Sequence, residues 1–181
     1  MEAGQQNNSG LGGEWMIEKQ IIFGRELKVF AERPKTITEM FNNSAAKFPD
    51  KEAVISNESR VTYKAAKHRI DTISANLHNN FNIKKGDRIA LLLNNCVEFF
   101  LMVFASAQLG AIVVPLNTKL KEKELTYMLS HSGSKLLITE SDFKGTIESI
   151  LSKGVLTELK QAFLINEKQP PGDRYLSFCV L

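Results

Sequence analysis

The sequence predicts an α/β protein built on a partial parallel sheet with crossover helices. Three observations lead there. The run Ile89 to Leu93 is apolar and bounded by Lys85-Gly86-Asp87-Arg88 and Asn94-Asn95; a mostly apolar, helix-length segment follows and ends at Gly110; and a second β-branched run, Ala111 to Pro115, begins at once. Short apolar runs separated by helical spacing are the pattern of strands buried on both faces and joined by helices. The same alternation recurs twice more before Asn166, and short connections of this kind imply right-handed crossovers.

Each element has its own signal. Thr36-Ile37-Thr38-Glu39 has capping-box spacing, Ile37, Met40, Phe41, Ala45 and Phe48 then recur at helical intervals, and Pro49 stops the helix. Ala53-Val54-Ile55 and Ser59-Arg60-Val61-Thr62 flank Asn57-Glu58 as a short hairpin. Thr62 can cap a second helix with Ala66, Ile70, Ile73 and Leu77 on one face. Gly86 permits the turn into the strand Arg88 to Leu93, and Asn95 with Glu98 is a capping pair for the helix ending at Gly110. The strand Ala111 to Pro115 precedes a helix from about Lys121 that ends at Gly133. Lys135 to Thr139 is a strand, Ser141 caps a helix through Phe143, Ile147 and Ile150, and Ala162 to Ile165 is one more strand. Gln169 to Asp173 is a loop, and Tyr175 to Leu181 reads as an apolar tail with no partner.

Four segments follow from this: residues 1–15, a disordered polar and glycine-rich extension; 16–35, a lead-in; 36–166, the α/β domain; and 167–181, a loop and tail. Gly12-Gly13-Glu14-Trp15-Met16 can be encoded by GGA-GGT-GAA-TGG-ATG, a ribosome-binding sequence before Met16, so Met1 and Met16 are both candidate starts.

Composition excludes more than it selects. A net charge of +3, with lysines and arginines spread along the chain, gives no nucleic-acid footprint. Cys96 and Cys179 stand far apart; Cys96 lies in an apolar segment as a small buried hydrophobe, and a reducing, cytoplasmic setting is the expectation. The uncharged run Phe99 to Leu116 approaches the length of a membrane span, about 20 residues. Gln108, Gly110 and Pro115 interrupt it, and splitting it at Gly110 leaves a helix and a strand.

No catalytic, cofactor-binding or metal-binding residue stands out. The turn after the first core strand is Asn94-Asn95, without the glycines of a dinucleotide loop, and the glycine of Ser132-Gly133-Ser134-Lys135 ends a helix where a phosphate loop would begin one. His68, His78 and His131 are isolated, as solvated or helix-end histidines are. Asp50/Glu52 and Glu122/Glu124 read as solvated acids, Asp87 and Arg88 as solvated charges with local pairing as the alternative, and Glu98 as a helix cap.

The order of motifs resembles the N-terminal part of the AMP-forming acyl-CoA synthetases, the adenylate-forming superfamily. The resemblance rests on Thr36 to Phe41 with Phe48 to Val54, on Arg60-Val61-Thr62-Tyr63, and on Lys85 to Ala90 with Asn94 to Phe99. It continues through Leu109 to Asn117, Glu124 to Leu129 and Ser132 to Ile138. Gly110-Ala111-Ile112-Val113-Val114-Pro115-Leu116-Asn117-Thr118 is more similar to fatty-acyl or related acid–CoA ligases than to peptide-synthetase adenylation domains. The resemblance implies the N-terminal subdomain of an adenylate-forming enzyme over residues 36–166, incomplete as a domain. For the full-length enzyme it implies ATP, Mg2+ and CoA, and a carboxylic acid made into an acyl-adenylate and then a thioester. The family's phosphate loop, [ST]-[SG]-G-[ST]-T-G-x-P-K-G, does not occur in this sequence, so no catalytic residue carries over. The expectation is an N-terminal fragment, inactive alone, of a truncated or frameshifted ligase. The alternatives are a stand-alone interaction module, half of a split enzyme or a homo-oligomer with part of its core face exposed, and an unrelated α/β binding domain.

Overall fold

A computed structural model describes residues 16–56, 59–165, 175–178 and 181. The expectations for residues 1–15, for the turn Asn57-Glu58, for the loop Gln169 to Asp173 and for Cys179 lie outside the described residues.

The first two strands, β1 (Ile17–Ile22) and β2 (Arg25–Phe30), form an antiparallel hairpin within the segment expected to be a mere lead-in. Its turn, Phe23-Gly24, lacks the Asn or Asp that usually announces such hairpins, which is why the sequence hid it. Helix α1 (Ile37–Lys47) starts as its capping spacing predicts. The Glu39 amide donates to Thr36 Oγ1 at 3.0 Å, and the Glu39 carboxylate accepts from the Lys35 amide at 2.7 Å. Strands β3 (Glu52–Ile55) and β4 (Arg60–Thr62) pair antiparallel as the expected hairpin. Helix α2 (Tyr63–Asn79) follows, with the Ala65 amide on Thr62 Oγ1 at 3.2 Å.

The core is a five-stranded parallel sheet made of β5 (Arg88–Leu92), β6 (Ile112–Pro115), β7 (Leu136–Thr139), β8 (Gln161–Leu164) and β9 (Tyr175–Ser177). Its order is β6-β5-β7-β8-β9. The crossovers are α3 (Val97–Leu109), α4 (Glu122–Ser132) and, after a 3-10 turn at Ser141–Phe143, α5 (Lys144–Ser152). Ser141 is therefore the first residue of that turn and does not cap a helix directly; Glu140 precedes it as the extended residue.

Alternation along the strands sorts side chains onto two cores. Ile89, Leu91, Leu136, Ile138 and Phe163 face α2 and α3, where Ile70, Leu77, Leu101 and Met102 meet them. Ala90, Leu92, Leu137, Ala162 and Leu164 face Leu125 and Leu129 of α4 and Ile147 and Ile150 of α5. Helix α1 is fastened to the first core by one aromatic anchor. Phe41 packs against Phe104, Phe100 and Tyr63 at centroid distances of 4.7, 5.9 and 5.7 Å. Because Phe41 and Ala45 carry that contact, Ile37, Met40 and Phe48, expected on the same buried face, remain substantially exposed.

The C-terminal tail does have a partner. Strand β9 adds to β8 in parallel register, Phe178 and Leu181 are buried in the first core, and the Leu181 carbonyl accepts from Asn76 Nδ2 at 2.8 Å. A three-residue strand paired only at long range leaves no periodicity to read. At the β6 edge of the sheet Ile112 is half exposed. No helix among the described residues is long and apolar enough to cross a membrane, and the run Phe99 to Leu116 divides at Gly110 into α3 and β6.

Leu91 is fully buried in the strand flanked by β6 and β7. Leu91→Ala should lower unfolding stability by about 2–5 kcal/mol, read from the midpoint of a urea titration.

Candidate functional site: the two ends of the parallel sheet

The amino ends of the strands are tied by charge. Asp87 is almost wholly buried; its Oδ2 accepts from the Lys84 amide at 2.9 Å and its Oδ1 pairs with Lys135 Nζ at 2.7 Å. Arg88, partly buried, donates from Nε to the Ser132 carbonyl at 2.8 Å, from Nη2 to Gly133 at 3.0 Å and from Nη1 to Gly86 at 3.1 Å. Both residues were expected as solvated charges. The structure makes them a knot that combines the local pairing kept as the alternative, to the Lys84 amide and the Gly86 carbonyl, with partners at the end of α4 and before β7 that lie far along the chain. Gly133 ends α4 with φ +59°, and a Cβ there would stand 2.8 Å from Arg88 Nη2. A guanidinium on the last carbonyls of a helix also meets the negative end of its dipole. Burial pushes the Asp87 carboxyl up, but the Lys135 ammonium, the Lys84 amide and the nearby Arg88 charge outweigh it and hold the carboxyl below its usual range.

At the other end, β5 leads to α3 on one face while β7 leads to α5 on the opposite face. Strand order therefore reverses between β5 and β7, and the carboxyl ends of such neighbours form the crevice where doubly wound proteins take ligands. Here Glu140 closes it. Its carboxylate accepts from the Asn94 amide at 2.5 Å and from Asn94 Nδ2 at 2.8 Å. Helix α3 begins one residue later than the Asn95 cap expected: Cys96 is the N-cap, and Asn94 is engaged across the crevice. Glu98 lies in the first turn and reaches Arg69 of α2 at 3.4 Å, so it braces two helices where a cap was expected. Burial pushes the Cys96 thiol up against the Phe99 and Glu98 amides, and the Glu98 and Glu140 carboxylates add to the rise, so the half-buried sulfur stays a protonated packing group at neutral pH. Beside the crevice, the hydroxyl of fully buried Thr139 has no hydrogen-bond partner.

The remaining expected residues stay apart. Glu52 forks onto Arg60 at 3.0 and 2.9 Å, Glu122 contacts Lys153, and the Glu124 carboxylate accepts from the Lys121 amide at 2.9 Å. His131 stacks on Tyr127 at 5.3 Å near the end of α4, and His78 lies 3.4 Å from the Ile83 carbonyl. Among the described residues no group of three or more His, Cys, Asp or Glu is placed to hold a metal ion. Nor do these residues fit a nucleotide phosphate. The Ser132-Gly133 segment turns carbonyls, not amides, into its concavity, where Arg88 takes them, and Glu140 sets a carboxylate in the crevice.

Sheet order and crevice define a doubly wound α/β protein. The model of the AMP-binding enzyme family matches residues 41–175, and the chain belongs to that family. Crotonobetaine/carnitine–CoA ligase of Salmonella paratyphi A is 33% identical over 144 residues, covering 77% of this chain and 28% of that protein. Long-chain-fatty-acid–CoA ligase of Escherichia coli O157:H7 is 29% identical over 122 residues, covering 67% of this chain and 22% of the relative. Coronafacic acid ligase from Pectobacterium brasiliense superposes with a TM-score of 0.72 at 27% identity, over 80% of this chain and 29% of that one. A Mycobacterium tuberculosis fatty acyl CoA synthetase does so with 0.67 at 31% identity, over 72% and 26%. The chain thus spans about a quarter of the length of the curated relatives it matches.

Arg88→Met should cost about 2–4 kcal/mol in denaturant unfolding, since three carbonyls lose a charged donor, and Arg88→Lys should recover only part of it. Asp87 has a folded pKa below its unfolded one, so its contribution is present above about pH 4 and is lost as pH falls through the lower folded value. The stability gap between wild type and Asp87→Asn should therefore be constant from pH 5 to 7 and narrow progressively below about pH 4 in a pH series of urea titrations.

Proposed function

We propose that this chain is the N-terminal scaffold of an ATP-dependent acid–CoA ligase for fatty or related carboxylic acids, and that it is inactive alone. The observation that carries this reading is the family match over residues 41–175, together with relatives that are acid–CoA ligases. In the complete enzyme a carboxylate oxygen bonds to the α-phosphorus of ATP with loss of pyrophosphate. The CoA sulfur then bonds to the acyl carbon with loss of AMP. ATP, Mg2+ and CoA belong to that complete enzyme, in a cytoplasmic setting. Residues 36–166 act as its incomplete N-terminal domain, with 1–15 an extension, 16–35 the lead-in that holds the β1–β2 hairpin, and 167–181 a loop and tail whose strand β9 joins the sheet.

No described residue takes a chemical step. The contribution of this chain is positional: the knot at Asp87 and Arg88 sets strand register, and the crevice between β5 and β7 presents Asn94 and Glu140 at the ligand-facing end. A second reading, an interaction module or half of a split enzyme, is favoured by the exposed apolar residues of α1, Ile37 and Met40.

The purified chain incubated with ATP, Mg2+, oleate and CoA should release no pyrophosphate and form no oleoyl-CoA by mass spectrometry. Turnover would overturn the inactive-scaffold reading. Sequencing the DNA beyond the Leu181 codon separates the two readings: a phosphate-loop sequence in another frame supports the ligase fragment, and an adjacent independent gene supports the split enzyme.

A further inference from the structure

Two features of the β7–α5 connection oppose each other. Glu140 is the first residue after β7, extended at φ −97° and ψ 158°, and the single 3-10 turn Ser141–Phe143 follows it. Its carboxylate accepts from the Asn94 amide at 2.5 Å and from Asn94 Nδ2 at 2.8 Å. Asn94 is exposed and Glu140 partly so, hence water competes for every bond of this clasp. The residue before Glu140 is Thr139, wholly buried, with a hydroxyl that has no hydrogen-bond partner. The clasp favours a closed crevice, and the lone hydroxyl counts against it.

Magnitudes decide how firmly the crevice is shut. A water-exposed pair of this kind biases an equilibrium by about tenfold or less. A buried hydroxyl without a partner disfavours the state that buries it by about five- to a hundredfold. The two effects are similar in size and opposite in sign. The closed crevice is close to balance.

The 3-10 turn cannot hold the balance alone. Its Phe143 amide donates to the Glu140 carbonyl at 3.1 Å, and the Lys144 amide donates to the Ser141 carbonyl. One turn of this geometry is marginal by itself, because ordering the backbone costs more than so few bonds return. It is pinned at one end by the clasp, and at the other by Phe143 against the second core and by helix α5.

We propose that residues 140–143 form a latch over the crevice between β5 and β7. In the closed state Glu140 grips Asn94. In the open state that grip is broken, the 3-10 turn is released and water reaches the Thr139 hydroxyl, while the parallel sheet stays paired. The donors of Asn94 are free for a molecule entering the crevice only in the open state. The latch is a property of these residues and does not rest on the ligase reading.

The test is native-state amide exchange of the full chain by NMR, repeated across low urea concentrations. It is read at the Phe143 and Lys144 amides, which bond to backbone carbonyls and not to the Glu140 carboxylate. In wild type both should exchange at a rate independent of urea, while the amide of fully buried Leu91 exchanges faster as urea rises. Glu140→Ala should speed exchange at both amides about five- to tenfold. Thr139→Val keeps the side chain's shape and removes the lone hydroxyl, so it should slow them about fivefold or more. Urea dependence matching that of Leu91 overturns the latch, since the turn would then open only with the whole fold. Exchange at the unprotected rate in wild type also overturns it, as does an unchanged rate in Glu140→Ala. So does an unchanged or faster rate in Thr139→Val, which would mean that the closed state satisfies the hydroxyl.

Discussion

Everything at the amino end of the sheet turns on the three residues Gly86, Asp87 and Arg88. The Gly86 amide donates to the Gly110 carbonyl at 2.9 Å, the Asp87 carbonyl accepts from the Ile112 amide at 2.7 Å, and the Arg88 carbonyl accepts from the Lys135 amide at 2.8 Å. Backbone and side chains of one turn thus set the starting points of β5, β6 and β7 together. The two charges are opposite in sign and each has its own partners, so neither is left uncompensated where water is scarce. Gly86, at φ +86°, supplies the left-handed turn that lets the three residues face their neighbours.

The two ends of the sheet are consequently built for different purposes. The amino end spends its polar groups on holding strands in register. The carboxyl end is lighter: one carboxylate, Glu140, spans the reversal point by gripping Asn94, and a buried hydroxyl, Thr139, is left with an unused hydrogen bond. Such an end leaves the crevice closed by a single surface contact.

Much of this architecture was legible in the sequence. Gly110 and Gly133 mark left-handed helix ends, Thr36 and Thr62 cap as their spacing says, and the four runs that became β5 to β8 are recognisable within one residue at each end. What stayed hidden depends on distance along the chain. Two of the three carbonyl partners of Arg88 lie more than forty residues away, so its charge looked solvated. Glu98 is shared with Arg69 on another helix, so it was mistaken for a local cap, and Asn94 is held by Glu140, which follows β7 more than forty residues later. Strand β9 exists only because β8 offers an edge. The hairpin at Ile17 to Phe30 failed to announce itself because its turn carries an aromatic where turn chemistry asks for a small polar residue.

The strand order has a consequence for how the molecule is made. Strand β5 is the first of the sheet to be synthesised and lies inside it, between β6 and β7. Strand β6 then adds to one side of it, β7 to the other, β8 to β7, and β9 to β8. No strand has to be inserted between two that are already paired. A nascent chain leaving the ribosome N-terminus first can therefore grow this sheet by accretion, each newly emerged strand finding an open edge and a helix to seal it.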